Sequence, residues 1–373
     1  MNFHGLLQKM VQHQASDMFV TANLAVSAKI NGELRAIEQQ VLSAEEALNL
    51  VHIAMNEKQK QQFEQEKECN FALSVDNIGR FRISAFWQRD MAGMVVRRIV
   101  TDIPTVADLA LPEVLKDVVM SKRGLVLFVG GTGTGKSTSM AALIGYRNQH
   151  SYGHILTIED PVEFVHEHGK CMITQREVGL DTVSFDTALK SSLRQAPDVI
   201  LIGEIRNQET MEHALSFAET GHLCIATLHA NNANQAIDRI MHLVPVEQHS
   251  KLLFDLALNL RGIVAQQLIP TCDGTGRVAA IEILLNSPYI GDLIKEGKIG
   301  NIKEIMTKST DQGMQTFDQA LFTLYENEKI TYDDAIHHAD SPNDLRLMIK
   351  LRSNEQGGSG SLAGVTLDGI EAQ

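Results

Sequence analysis

Residues 125–146 read LVLFVGGTGTGKSTSMAALIGY. An apolar run, a glycine-rich octet and a stretch of helix formers follow one another without a break. The octet Gly130, Gly131, Thr132, Gly133, Thr134, Gly135, Lys136 and Ser137 satisfies G-x-x-x-x-G-K-[ST], and it lies between a strand and a helix, where that pattern has a mechanism. Glycines let backbone N–H groups turn inward around phosphate oxygens. Lys136 neutralises β/γ-phosphate charge and the Ser137 hydroxyl completes a Mg2+ shell; with Thr138 these residues form the candidate site for ATP and Mg2+. The bland alternative is a chance glycine-rich turn, which the flanking strand and helix argue against.

Working outward, HILTIED (154–160), DVILIGE (198–204) and LCIATL (223–228) repeat the apolar signature of LVLFVG (125–130). Strands buried on both faces look like this, and helical stretches separate them. The region from 112 is therefore expected to be an α/β fold with a mainly parallel sheet. Hydrolysis also requires a carboxylate near the metal and a group that orients or deprotonates water. Glu204 ends one strand, at the position of a Walker B acid, and is a second candidate Mg2+ ligand. TIEDPVEF (157–164) crowds Glu159, Asp160 and Glu163 behind another, where Pro161 makes a turn that can aim Glu163 inward. Any one acid could be a surface or capping carboxylate; two acid-tipped strands beside a phosphate loop favour catalysis.

GHLCIATLH (221–229) offers His222, Cys224 and His229, too few ligands for structural zinc. On a strand, residues at odd separation point to opposite faces, so the two histidines cannot share a side if both lie on it. His222 is expected before the strand. His229 is expected after it, at the end of the sheet where nucleotides bind, as a donor that senses the γ-phosphate; the alternative is a hydrogen-bonded core histidine.

The first hundred residues mix short strands and helices. AVSAKING with ELRAI (25–37) and FALSVDNIGRFRISAF (71–86) read as hairpins about Asn-Gly and Asn-Ile-Gly turns. Between them, a helix is expected to begin at Ser43 with Glu46 completing a capping box and to run through the charged segment NEKQKQQFEQEKE, a solvated face. TDIPTVADLALPEVL, with Pro104 and Pro112, contains the interdomain linker. HSKLLFDLALNLRGIVAQQLIP (249–270) reads as one long amphipathic helix ended by Pro270, and the Gly/Ser-rich string after Arg352 as a flexible tail.

The bulk numbers narrow the function. A chain of 373 residues suggests two to three domains. No apolar run approaches the ~18 residues of a spanning helix and no leader opens the chain, so a cytoplasmic protein without membrane insertion is expected. Asp+Glu 46 against Lys+Arg 33 gives a net charge of −13, which argues against nucleic acid as a partner and against a DNA translocase. Cys69, Cys171, Cys224 and Cys272 form no C-x-x-C pair and are expected to be reduced, buried thiols.

GGTGTGKSTS, ILTIEDPVEF, APDVILIGEIRNQET and AETGHLCIATLH, in this order and spacing, resemble the Walker A, Asp box, Walker B and His box of type II/IV secretion ATPases over roughly residues 1–350. The absence of a tetracysteine motif and the short N-terminal region are similar to the twitching-motility retraction ATPases, the PilT/PilU family. SDMFVT, GHLCIATLHANNANQAIDRI and the C-terminal tail look most like its accessory, PilU-type members. The resemblance implies a PAS-like α+β N-terminal domain (1–100), a linker (101–111), a RecA-like P-loop ATPase domain (112–352) and a tail (353–373). It implies a homohexamer docked on the inner-membrane platform protein of a type IV pilus, peripheral to that membrane at the pilus base, with the principal retraction ATPase as a partner. It implies that Glu163 is the general base, that Glu204 binds magnesium, and that Arg82 and Arg97 reach the phosphates when the N-terminal domain closes; Arg80, Arg89 and Arg98 are equally charged and nearby. Where the main retraction ATPases carry AIRNLI, this chain has YIGDLI (289–294), with Gly291 for arginine and Asp292 for asparagine. That departure fits an accessory motor, and it also leaves open a second class of function: a nucleotide-holding ring subunit that links a partner ATPase to the platform.

Overall fold

The computed structural model describes residues 2–30, 33–99 and 102–356. The chain runs through α1 (Phe3–Gln12), β1 (Asp17–Thr21), β2 (Ala25–Ile30), β3 (Glu33–Val41), α2 (Ala44–Ile53), α3 (Glu57–Glu66), β4 (Glu68–Val75), β5 (Gly79–Gln88) and β6 (Met91–Ile99). It continues as α4 (Val114–Val119), β7 (Gly124–Val129), α5 (Lys136–His150), β8 (Gly153–Glu159), β9 (Cys171–Glu177), α6 (Phe185–Ser192), β10 (Val199–Ile202), α7 (Gln208–Glu219) and β11 (Leu223–Leu228). The last part is α8 (Ala233–Met241), α9 (His249–Asn259), β12 (Leu260–Pro270), β13 (Arg277–Leu285), α10 (Pro288–Lys295), α11 (Ile302–Lys308), α12 (Phe317–Glu326), α13 (Tyr332–His338) and α14 (Pro342–Gln356). These elements belong to two compact units. One comprises Met1–Asp108, Leu115–Gly124 and Ser137–Ala226; the other comprises Leu109–Val114, Leu125–Lys136 and the chain from Thr227.

In the first unit, six antiparallel strands lie in the order β3-β2-β1-β6-β5-β4. Alternation on β5 buries Phe81, Ile83 and Ala85 and leaves Arg82 on the other face. α1 covers the apolar face with Phe3, Leu6, Leu7 and Met10, an i, i+3, i+4, i+7 stripe. The same unit holds β11-β10-β8-β9, parallel throughout. Every residue of β10 is buried, as is every residue of β11, so their side chains read as unbroken apolar runs. The second unit contains β13-β12-β7, with β12 parallel to β7 and antiparallel to β13.

The capping box at Ser43 is present in full: Ser43 Oγ accepts from Glu46 N–H at 3.1 Å, and Glu46 Oε2 accepts from Ser43 N–H at 2.8 Å. The single helix expected behind it is two. α2 ends at Ile53 and α3 starts afresh, because Asn56 builds a second capping box with Gln59. The larger correction is at 249–270, where the helix stops at Asn259 and Leu260–Pro270 is a strand. Its apolar residues suit either period; pairing with two strands decides between them, and Gly262 lets the Leu284 carbonyl approach to 2.8 Å of where a Cβ would stand. Of the cysteines, all free, Cys69, Cys171 and Cys224 are buried as expected, whereas Cys272 is exposed in the turn after β12. The Asn31-Gly32 turn lies outside the described residues. So do residues 357–373 of the expected tail, and α14 reaches Gln356.

Candidate functional site

The phosphate loop leaves β7 and enters α5. Gly130, Gly133 and Gly135 have φ of 152°, 78° and 85°, which L side chains rarely adopt. Space forbids a side chain as firmly as backbone angle does. A Cβ at Gly130 would lie 2.7 Å from the Gln266 carbonyl oxygen, and one at Gly135 would lie 2.8 Å from Gln266 Nε2. Gln266, 2% exposed on β12, therefore forms the wall behind the loop. Sequence reading missed it because β12 was expected to be helical. Lys136 folds back so that its ammonium donates to the carbonyls of Gly130 (2.8 Å) and Gly131 (2.7 Å), and Thr134 Oγ1 donates to Gly131 O at 3.0 Å. A cation held on the carbonyls of a glycine-rich turn at a helix N-terminus is a candidate anion cradle, because a phosphate can exchange with these carbonyls for the ammonium.

His229 follows β11 and is exposed, so the buried-core alternative for it does not apply. With Gly131 it borders an open cavity of about 390 Å³. More of the lining comes from α8, whose buried residues Ala233, Ala236, Ile237 and Ile240 leave Gln235, Asp238 and Arg239 on a polar stripe bordering that space, joined by His242 just after the helix. His222 precedes the strand. Its Nδ1 lies 3.1 Å from Thr220 Oγ1 and 3.2 Å from the Phe217 carbonyl, so it closes the C-terminal turn of α7. Cys224 between them is fully buried, and burial pushes its thiol well above the usual range.

The acids occupy the first unit. β8 and β10 are parallel with Ile158 opposite Ile202, which places both acidic strand ends at one edge. Gly203 permits this: a Cβ there would meet the Glu159 Cα and the Ile158 carbonyl, each at 3.1 Å. Glu159 is the half-buried acid of the Asp box. Its carboxyl accepts from Thr157 Oγ1 (2.6 Å) and Gln175 Nε2 (3.3 Å), and burial pushes its pKa up. Glu163 lies four residues on, itself exposed, in an irregular segment that begins at the cis Asp160–Pro161 bond. Glu204 receives Arg206 Nε at 2.6 Å, and the same guanidinium reaches Asp160 at 3.4 Å. Arg206 is thus a bridge between Walker B and Asp box that the pattern in GEIR did not reveal.

Arg82 and Arg97 are directly opposed on β5 and β6, both exposed. Asp17 on β1 offsets the like charge by pairing with Arg97 Nε at 2.8 Å. Arg80, on the same face of β5 as Arg82, is committed elsewhere: its Nη2 donates to the buried Glu177 at 2.6 Å. Among the candidates, then, Gly131 and His229 border one cavity, Arg82 pairs in strand register with Arg97, and Glu204 is tied to the Asp box through Arg206.

The chain matches the family described as Type II/IV secretion system protein over residues 2–353. The Pseudomonas aeruginosa type IV pilus ATPase PilU is 59% identical over 353 residues, covering 95% of this chain and 92% of that one. The P. aeruginosa retraction ATPase PilT is 41% identical over 92% of this chain and 99% of its own length. A crystal structure of the pilus retraction motor PilT with bound ADP superposes with a TM-score of 0.88 at 37% identity, covering 93% of this chain and all of that one. The chain belongs to the type II/IV secretion ATPases, an α/β family with an N-terminal domain and a RecA-like P-loop domain, and within them to the PilT/PilU pilus ATPases. Among the described residues, no helix is long and apolar enough to cross a membrane.

Proposed function

We propose that this protein hydrolyses Mg2+-ATP and uses the resulting domain motion to power type IV pilus retraction, as an accessory motor beside the principal retraction ATPase. The observation that carries the reading is the glycine-rich loop, in which Gly130 and Gly135 combine positive φ with a crowded Cβ position, in a chain 59% identical to PilU across 95% of its length.

In this reading the backbone amides of Gly130–Gly135 and the Lys136 ammonium bind the triphosphate, and Thr138 joins them at the start of α5. Lys136 exchanges its two carbonyl partners for phosphate oxygens. Glu163 takes the proton of the attacking water; its exposure suits a base that must meet solvent. His229 donates to the γ-phosphate and loses its partner on cleavage, which reports the nucleotide state to α8. Arg82 and Arg97 supply further positive charge when the N-terminal domain (1–100) closes on the linker (101–111) against the ATPase domain (112–352). The hard oxygen donors of Ser137 and Glu204 fit Mg2+, which when bound neutralises charge on the β/γ oxygens. Six subunits form a ring at the cytoplasmic side of the inner membrane, on the pilus platform protein, and fire in sequence.

The accessory role rests on YIGDLI. At Gly291, on α10, a Cβ would meet only the Ala257 carbonyl and Asn286 Oδ1, each at 3.5 Å, an ordinary contact. Packing does not demand glycine, so the missing arginine is a change in surface chemistry that the fold does not impose. The alternative, a ring subunit that holds nucleotide without turning it over, retains the cradle but needs no Glu163. Two measurements separate these: ATPase activity of the purified protein, and pilus retraction in cells with this gene present and the principal motor deleted. Activity without retraction supports the accessory motor; no activity, with binding intact, supports the structural ring.

A further inference from the structure

Glu177 ends β9 opposite Glu159, and its surroundings hold it rigidly. Its backbone N–H donates to Asp181 Oδ2 at 2.9 Å, and its carbonyl accepts from Asp181 N–H at 2.8 Å and Thr182 N–H at 3.2 Å. The carboxylate, 7% exposed, accepts two hydrogen bonds on the same oxygen, Oε2. One comes from Arg80 Nη2 at 2.6 Å, the other from the backbone N–H of Val162 at 3.2 Å. Val162 is buried and immediately precedes Glu163. The Arg80 side chain is 17% exposed, and its Nε is buried with no partner. An unsatisfied guanidinium N–H is costly, so the fold accepts it for the geometry of the other end. Arg82, two residues on along the same face of β5, is by contrast exposed.

We propose that Arg80 and Glu177 are positioning residues for Glu163: the guanidinium on β5 fixes the Glu177 carboxylate beneath the Val162 amide and so sets where the Asp-box segment presents its base. The inference rests on the reading of Glu163 as general base. It gives the antiparallel sheet a part in the reaction separate from Arg82 and Arg97. Any movement that withdraws β5 from Glu177 removes the Val162 anchor's counter-cation, and turnover falls while phosphate binding persists. Hydrolysis then depends on where this sheet sits.

The test uses the full-length protein and compares Arg80→Met/Glu177→Met with wild type in ATPase kinetics and thermal melting. Replacing both members of a buried pair by apolar residues of similar size is often neutral for stability, whereas no acceptor for the Val162 N–H survives. The expected result is a melting temperature near wild type, KM for ATP unchanged within about 2-fold, and kcat lower by about 10-fold or more. A wild-type kcat in the folded double variant would overturn the proposal, since the pair would then serve stability alone. If the double variant fails to fold, Arg80→Lys, which keeps a cation on Glu177, is compared with Arg80→Gln, which does not. A kcat about 10-fold higher for lysine at equal KM supports positioning, and equal kcat overturns it. Glu163→Gln runs in parallel. If it hydrolyses ATP at the wild-type rate, the base assignment itself has failed; if it is inactive while the double variant works normally, only the positioning role has.

Discussion

Glu282→Gln is expected to flatten the pH dependence of stability. Glu282 lies on β13 with 2% exposure, where its two oxygens accept from the first N–H groups of two helices, Ala233 of α8 at 2.8 Å and Phe317 of α12 at 3.3 Å. Those donors have no intrahelical partner, so the carboxyl ties the His-box helix to the C-terminal helices. Burial nonetheless pushes its pKa from 4.5 to about 7, and Asp340 nearby adds to the rise while Lys303 opposes it. The folded state therefore holds the proton more tightly than the unfolded state. The associated stability is complete below about pH 4.5 and is lost as pH rises through about 7. Carried through linkage, the difference amounts to about 3 kcal/mol between those limits. Glutamine cannot ionise, keeps one acceptor for a helix N-terminus and removes that slope. Urea denaturation of wild type and Glu282→Gln, followed by circular dichroism at intervals across this range, measures it. Wild type should lose stability relative to the variant as pH rises. Parallel curves would show that Glu282 has the same pKa in the folded and unfolded states and would refute the burial argument.

Lys136→Ala should reduce ATP turnover about 100-fold or more, because the proposed phosphate site loses its counter-cation; retained turnover would remove the cradle from the site. His229→Ala should slow turnover about 10-fold with an unchanged melting temperature, since the side chain is exposed, and aggregation of the variant would contradict that placement. Gly203→Ala should cost about 1–3 kcal/mol, as its methyl group meets main chain of Glu159 and Ile158 that cannot swing aside, and a wild-type denaturation midpoint would count against the close approach of those strands.

Much of the site could be read from the chain because its signals are local. The octet ending at Ser137 combines backbone angles that L side chains rarely adopt with a lysine at fixed spacing, and Ser43 with Glu46 specifies a helix start within four residues. Acid-tipped apolar runs marked β8 and β10 for the same reason: a strand buried on both faces leaves nothing else to write. The misreadings arose where local preference was even. LNLRGIVAQQLIP suits both periods, and Asn56 interrupts a run that propensity alone would continue.

The sequence by itself placed a glycine-rich turn with its lysine between β7 and α5 and put acids at the ends of the apolar strands β8 and β10, since chain neighbours and glycine sterics fix these things. Only the tertiary structure decided that 260–270 is a strand, that Gln266 backs the loop, that Arg80 rather than Arg82 is spent on Glu177, and that Glu282 clasps two helices. Each of these joins residues dozens of positions apart. Which of several equal arginines or glutamates gains a partner depends on strand register and burial, quantities that no short stretch of chain contains.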